Sequence, residues 1–138
     1  DGAEHPERVV SGGSVELDEP CRIACAGCSY DSRLSPMPIE TETQNGTSML
    51  RRKNVAELRV RVMKSVGGEI RAGDGPWQEI ISRSAADDSV SYRIEPKSEA
   101  VQVNPAAGYA KETSIEIRQR SPLPLTVSSI TALCEIVE

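Results

Sequence analysis

The stretch Val55-Ala56-Glu57-Leu58-Arg59-Val60-Arg61-Val62 decides the fold class. Leu58, Val60 and Val62 fall on one face, with Glu57, Arg59 and Arg61 on the other. A period of two is that of a β-strand with one buried face. Ser114-Ile115-Glu116-Ile117-Arg118 repeats the pattern, and towards the end Ile130, Ala132, Cys134 and Ile136 alternate with Thr131, Leu133, Glu135 and Val137. Shorter strands are expected at 8–10, 14–17, 22–26, 77–82, 89–95 and 100–103. Ser11-Gly12-Gly13 reads as a tight hairpin and Ser65-Val66-Gly67-Gly68 as a second, while Asn45-Gly46 and Gly73-Asp74-Gly75-Pro76 are further turns. No apolar spacing of three and four continues for three turns after any capping residue, so little or no helix is expected. The sequence therefore predicts an all-β fold, an antiparallel, barrel-like β-sandwich. Leu58, Val60, Val62, Ile115, Ile117, Ile130 and Cys134 are its expected core.

One stretch breaks the rhythm. Residues 30–54 carry Pro36, Pro38, Asn45, Gly46 and the basic run Arg51-Arg52-Lys53. This reads as a long, ordered connection crossing between the sheets, extended around 37–43. Ser121-Pro122-Leu123-Pro124 forces an extended approach to the last strand, because proline disfavours helix at the residue before it. Residues 1–13 are read as a connector with a first short strand, and 14–138 as a single sandwich domain. The start at Asp1 reads as that of a piece, the C-terminal part of a longer protein.

Composition narrows the function classes. The 138 residues carry 16 basic and 21 acidic side chains, a net charge of −5. That balance argues against a surface that grips nucleic acid phosphates throughout. With one Trp, three Tyr and no Phe, the chain has little for a sugar platform or base stacking. No apolar run approaches the ~20 residues of a membrane-spanning helix.

Cys21, Cys25 and Cys28 form C-x3-C-x2-C, a spacing that can hold an iron–sulfur cluster with one iron left open. The radical enzymes that use this spacing are built on a much longer chain of alternating strands and helices, which this sequence lacks. A zinc site with Cys134 as fourth ligand would ordinarily need two close pairs of ligands on turns. A disulfide would need an oxidising compartment. The four cysteines are therefore read as small apolar packing residues, and metal ligation as the alternative.

His5, the only histidine, lies beside Pro6 in the connector, away from any expected nucleophile. Asp87-Asp88 and Glu40 with Glu42 are acid pairs at turns or alternate strand positions, read as solvated. Arg51-Arg52-Lys53 has two readings: a contact for an acidic partner or nucleic acid backbone, or a solvated strand start that discourages edge pairing. The second is preferred.

The motifs together resemble a family. Asp1-Gly2, His5-Pro6, Val9 and Gly13-Ser14-Val15 lead into Leu17-Asp18 and Pro20. Gly27-Cys28-Ser29-Tyr30-Asp31-Ser32-Arg33-Leu34 looks like a Gly-Leu-x-Tyr-x-Ser-Arg signature, followed by a turn at Met37-Pro38. Gln44-Asn45-Gly46-Thr47, Arg51-Arg52-Lys53, the strand at 55–62, Gly67-Gly68, Gly108-Tyr109 and Gln119-x-x-Pro122-Leu123-Pro124-Leu125-Thr126-Val127 continue it in order. This resembles the C-terminal domain of the tail nozzle proteins (tail tubular protein B-like, or "stabilisation", proteins) of short-tailed phages and prophages. Cys21 and Cys28 stand at positions that are apolar in that family, Ser29 where it has proline, and Ala110-Lys111-Glu112 replaces an acidic loop.

The resemblance implies a virion structural protein, assembled in the bacterial cytoplasm, that forms a ring below the portal and adaptor. Its partners would be its own copies, the portal, the adaptor and other tail proteins, with DNA only as passing cargo. It implies no catalysis and no cofactor. Tyr30, Ser32 and Arg33 would organise the crossing loop, Arg33 by holding backbone carbonyls with its five donors. Asn45, Gly46, Arg51, Arg52 and Lys53 would complete a structural or interaction surface. The alternatives are a Cys-ligated metal protein using Cys21, Cys25, Cys28 and Cys134, and a sandwich that binds a receptor or glycan with Trp77, Tyr92 and Tyr109 at one tip.

Overall fold

A computed structural model describes residues 4–18, 20–28, 30–43, 46–49, 51–81 and 95–137. Nine strands follow in chain order: β1 (Ser32–Leu34), β2 (Glu42–Thr43), β3 (Gly46–Thr47), β4 (Arg52–Val62), β5 (Glu69–Ala72), β6 (Gln78–Glu79), β7 (Ala100–Val103), β8 (Ile115–Gln119) and β9 (Val127–Val137). No described residue is helical. One sheet has the order β1-β8-β5-β6, the other β7-β4-β9, and β2 and β3 form a separate hairpin. All pairings are antiparallel.

The two larger sheets share one core. Val55, Leu58, Val60 and Val62 of β4 and Val103 of β7 meet Ile70 and Ala72 of β5, Ile115 and Ile117 of β8, and the neighbouring Ile80 and Ile81. The expected inward faces of β4 and β8 are therefore observed. Ile130 and Cys134 lie on the expected face of β9 and pack against this core, but only half-buried, because β9 is an edge strand.

The architecture departs from expectation in several places. The sheets are not closed into a barrel: among the described strands each keeps two edges, and β1 and β6, of three and two residues, are too short to carry a ladder from sheet to sheet. No strand forms at 8–10, 14–17 or 22–26. These residues are exposed, so their alternation has no sheet face to bury against. The turn between the first two does form, with Gly12 and Gly13 at positive φ and Ser11 and Ser14 bonded both ways at 3.1 Å. The strand expected at 77–82 shortens to β6, and the one at 89–95 lies almost wholly outside the described residues, as do Asp87, Asp88 and Tyr92.

Gly67-Gly68 is a corner between the sheets and not a hairpin, since β4 and β5 belong to different sheets. Gly68 has φ +85°, and a Cβ there would sit 3.0 Å from both methyls of Leu125. Only glycine fits this close crossing.

The 30–54 connection does cross, from β1 in one sheet to β4 in the other. It is more structured than expected, holding β1 and the β2–β3 hairpin on the way.

β4 contains the feature that shapes the candidate surface. Val55 pairs with Cys134 and Glu57 with Leu133, so Ala56 is an extra residue, a β-bulge. The bulge changes which parity faces inward. Lys53 and Val55 point to the core before it, and Leu58, Val60 and Val62 after it.

Candidate interaction surface

The crossing connection is held at two buried points. Lys53 is only 2 % exposed, and its Nζ donates to the Ile39 carbonyl at 2.8 Å. Its backbone is paired both ways with Ala110, at 2.7 and 2.9 Å. Ser48 is fully buried: its Oγ accepts the Thr41 N–H at 3.0 Å, and its own N–H donates to the Thr41 carbonyl at 3.1 Å. Between and beside these anchors the chain presents apolar side chains to solvent. Met37 is 87 % and Tyr30 70 % exposed, and about half of Leu34 and Met49 is open.

The sequence-predicted residues separate on this frame. Tyr30, Ser32 and Arg33 are exposed on and beside β1. The Arg33 guanidinium meets the Asp31 carboxylate at 3.4 Å. Among the described residues it holds no loop carbonyl, because the edge strand β1 carries its side chain outwards. Gly46 opens β3 with φ +106°, and Asn45 lies outside the described residues. Arg51 is half-buried, and exposed Arg52 donates to the Tyr109 carbonyl at 3.2 Å. Lys53 overturns the solvated reading of the basic run. The bulge turns it inward, and it does for the crossing loop what was expected of Arg33.

The cysteines also need correction. Cys21, Cys25 and Cys28 are exposed, so they are not packing residues: no strand forms over 20–28, the residues that carry them. Among the described residues no three His, Cys, Asp or Glu side chains come together as metal ligands. Cys134 does pack against the core. Desolvation pushes its thiol pKa up, opposed in part by the nearby Lys53 charge. At mildly alkaline pH Cys134 thus holds less thiolate than an ordinary thiol, and thiolate is the reacting form. Iodoacetamide followed by mass spectrometry is expected to label Cys21, Cys25 and Cys28 first and Cys134 last. Labelling of Cys134 as fast as the others would contradict its placement. Cys28→Ala is expected to stay within about 0.5 kcal/mol of wild type in urea unfolding, as exposed substitutions do.

A second polar cluster was not anticipated. On the outer face of β5 and β8, Arg71 pairs with Glu116 at 2.9 Å and Arg118 with Glu69 at 2.5 Å. Both guanidiniums lie over the Trp77 ring, Arg71 at 4.6 Å and Arg118 at 4.0 Å from its centroid. The pairs are direct cross-strand neighbours, Glu69 opposite Arg118 and Arg71 opposite Glu116. The signal in the sequence is the charged alternation Glu116/Arg118 and Glu69/Arg71 around inward residues, but only the strand register tells which charge meets which. Trp77→Leu removes both cation–π contacts, an expected loss of about 1–2 kcal/mol by urea unfolding. A neutral result would show that the two ion pairs stand without it.

His5 accepts the Asp18 backbone N–H at 3.1 Å through Nε2, with the Asp18 carboxylate 3.4 Å away. Glu40 and Glu42 are exposed. An open cleft of about 270 Å³ runs between the β1 and β9 edges, lined by Ser32, Arg33, Leu34, Ile117, Gln119, Leu125 and Val127. Tyr109 donates its hydroxyl to Glu135 at 2.8 Å, and this carboxylate raises the phenol pKa.

No known family model matches the chain, and no curated protein matches it.

Proposed function

We propose that this chain works by assembly, as one segment of a subunit in the tail ring of a short-tailed phage or prophage. The observation that carries this reading is the crossing connection. Buried Lys53 and Ser48 anchor it, while Tyr30, Leu34, Met37 and Met49 stand in solvent. A segment ordered in advance loses little entropy on docking, so its apolar side chains can contribute to affinity directly. The ordered motifs that resemble the tail nozzle family supply the kind of assembly. In that role Tyr30 and Met37 contact a neighbouring subunit, the portal or the adaptor, and DNA passes as cargo.

The test is electron microscopy of the full-length protein mixed with its portal and adaptor. Closed rings are expected, because repeated head-to-tail contacts either close or grow into filaments. Met37→Asp should abolish the rings while leaving the circular dichroism of the fold unchanged. A full-length protein that stays monomeric beside both partners would overturn the reading.

A further inference from the structure

Among the described strands, the four edges of the two larger sheets are not equally protected. β1 has three residues, β6 two and β7 four, whereas β9 runs for eleven. β1 also carries the exposed Arg33 and is followed by Pro36 and Pro38, and β6 carries the exposed Glu79. Short strands, charge and proline are the ordinary means of keeping an edge from pairing with another chain. β9 has none of them. From Val127 to Val137 it holds no proline, no lysine and no arginine, and Glu135 is its single charge. β4 occupies one side of it, and no described strand lies on the other. Leu133, on the face turned away from the core, is 62 % exposed.

We propose that the free edge of β9 is an interaction site for a second copy of this chain, which adds its own β9 antiparallel about a two-fold axis near Leu133. Two three-stranded sheets then become one of six strands. The charges select both the partner and the direction. Beside the first half of β9, β4 places Arg61 opposite Ser129 and Arg59 opposite Thr131. An antiparallel second copy lays its Glu135 along this half, once the carboxylate turns from the Tyr109 hydroxyl and the Asn54 amide that hold it within one chain. The small Ser129 and Thr131 leave the carboxylate within reach of arginines one strand further in, about 10 Å away across the sheet. Arg61 is exposed and has no ion pair among the described residues, while Arg59 lies 3.6 Å from Glu57. The two-fold axis makes this contact twice. A parallel arrangement would set Glu135 against Glu135, which is unfavourable. The same axis brings the two Leu133 side chains together and covers them.

A polar ring holds all its copies in one direction, so this pair describes the chain outside such a ring. The inference holds or fails whatever the full-length protein builds.

Sedimentation velocity of this chain over a concentration series tests it. A monomer–dimer equilibrium is expected for the wild type. Leu133→Lys should leave only monomer with an unchanged circular dichroism spectrum. Glu135→Lys should weaken the dimer by about tenfold, the scale of one lost charge contact. Combining it with Arg59→Glu and Arg61→Glu should recover the lost affinity, which loss of the Tyr109–Glu135 hydrogen bond alone would not allow. Backbone amides of β9 should also gain hydrogen-exchange protection with concentration. A wild type that stays monomeric at about 100 µM, a concentration that would reveal even weak pairing, overturns the proposal. So does a dimer unaffected by Leu133→Lys.

Discussion

Leu58→Ala is expected to cost about 3 kcal/mol, among the largest losses for a single truncation of a described residue. Leu58 is fully buried in the middle of β4, the strand that pairs with both β7 and β9 and faces the other sheet. Truncation removes burial energy and leaves a hole between two sheets whose backbones are each fixed by hydrogen bonds. The cavity therefore cannot collapse fully, and the lost contacts add to the lost burial. Domains of this size are typically stable by about 5–15 kcal/mol, so the midpoint of urea unfolding should fall markedly with little change in slope. A loss below about 1 kcal/mol would mean that the two sheets do not share this core. The same change at Ile130, half-buried on the edge strand, should cost distinctly less.

Lys53→Glu is the second large effect, expected to destabilise by about 3 kcal/mol or more. The ammonium at this position is desolvated, and it donates to the Ile39 carbonyl. A carboxylate there would be buried facing an acceptor, with no proton to offer unless it became neutral. Lys53→Met separates the effects. It keeps an apolar stem of similar length but leaves the Ile39 carbonyl without its donor, for an expected loss of about 1–3 kcal/mol. Hydrogen exchange should show that loss concentrated in the 37–49 region, with the core of β8 unchanged. Uniform loosening of the whole molecule in Lys53→Met would indicate that the lysine supports the core and not the crossing connection.

These two positions mark how far the sequence could be read. Leu58 sits in an unbroken alternation, and its burial was legible from eight consecutive residues. Lys53 sits five residues earlier on the same strand and was not. Counting alternate positions back from Leu58 through Ala56 places Lys53 and Val55 on the solvent face, where a lysine is at home. The bulge at Ala56 inserts one residue and reverses that count. Nothing about Ala56 announces it, because a bulge is set by how β4 aligns with β9, more than seventy positions away in the chain.

The candidate surface divides in the same way. The crossing connection was visible as an interruption by proline, glycine and charge, and Tyr30, Ser32 and Arg33 were placed on it. Which side chain clamps it was not visible, since Lys53 and Ile39 meet only once the loop has folded back over β4. The Arg–Trp–Arg stack was equally hidden, because its ion pairs join residues 45 and 49 positions apart.

The sequence by itself determined the all-β class, the alternation of β8, of β9 and of β4 from Leu58 onwards, and the turns at Gly12-Gly13 and Gly73-Asp74. Side-chain period and glycine φ are local properties of the chain. Tertiary structure alone decided that Gly67-Gly68 turns between sheets, that 8–10, 14–17 and 22–26 remain outside them, and that Lys53 is buried. A strand pattern states only that one face wants cover. Whether a partner strand and an opposing sheet are there to provide it, and in which register, depends on long-range pairing that no short window of residues contains.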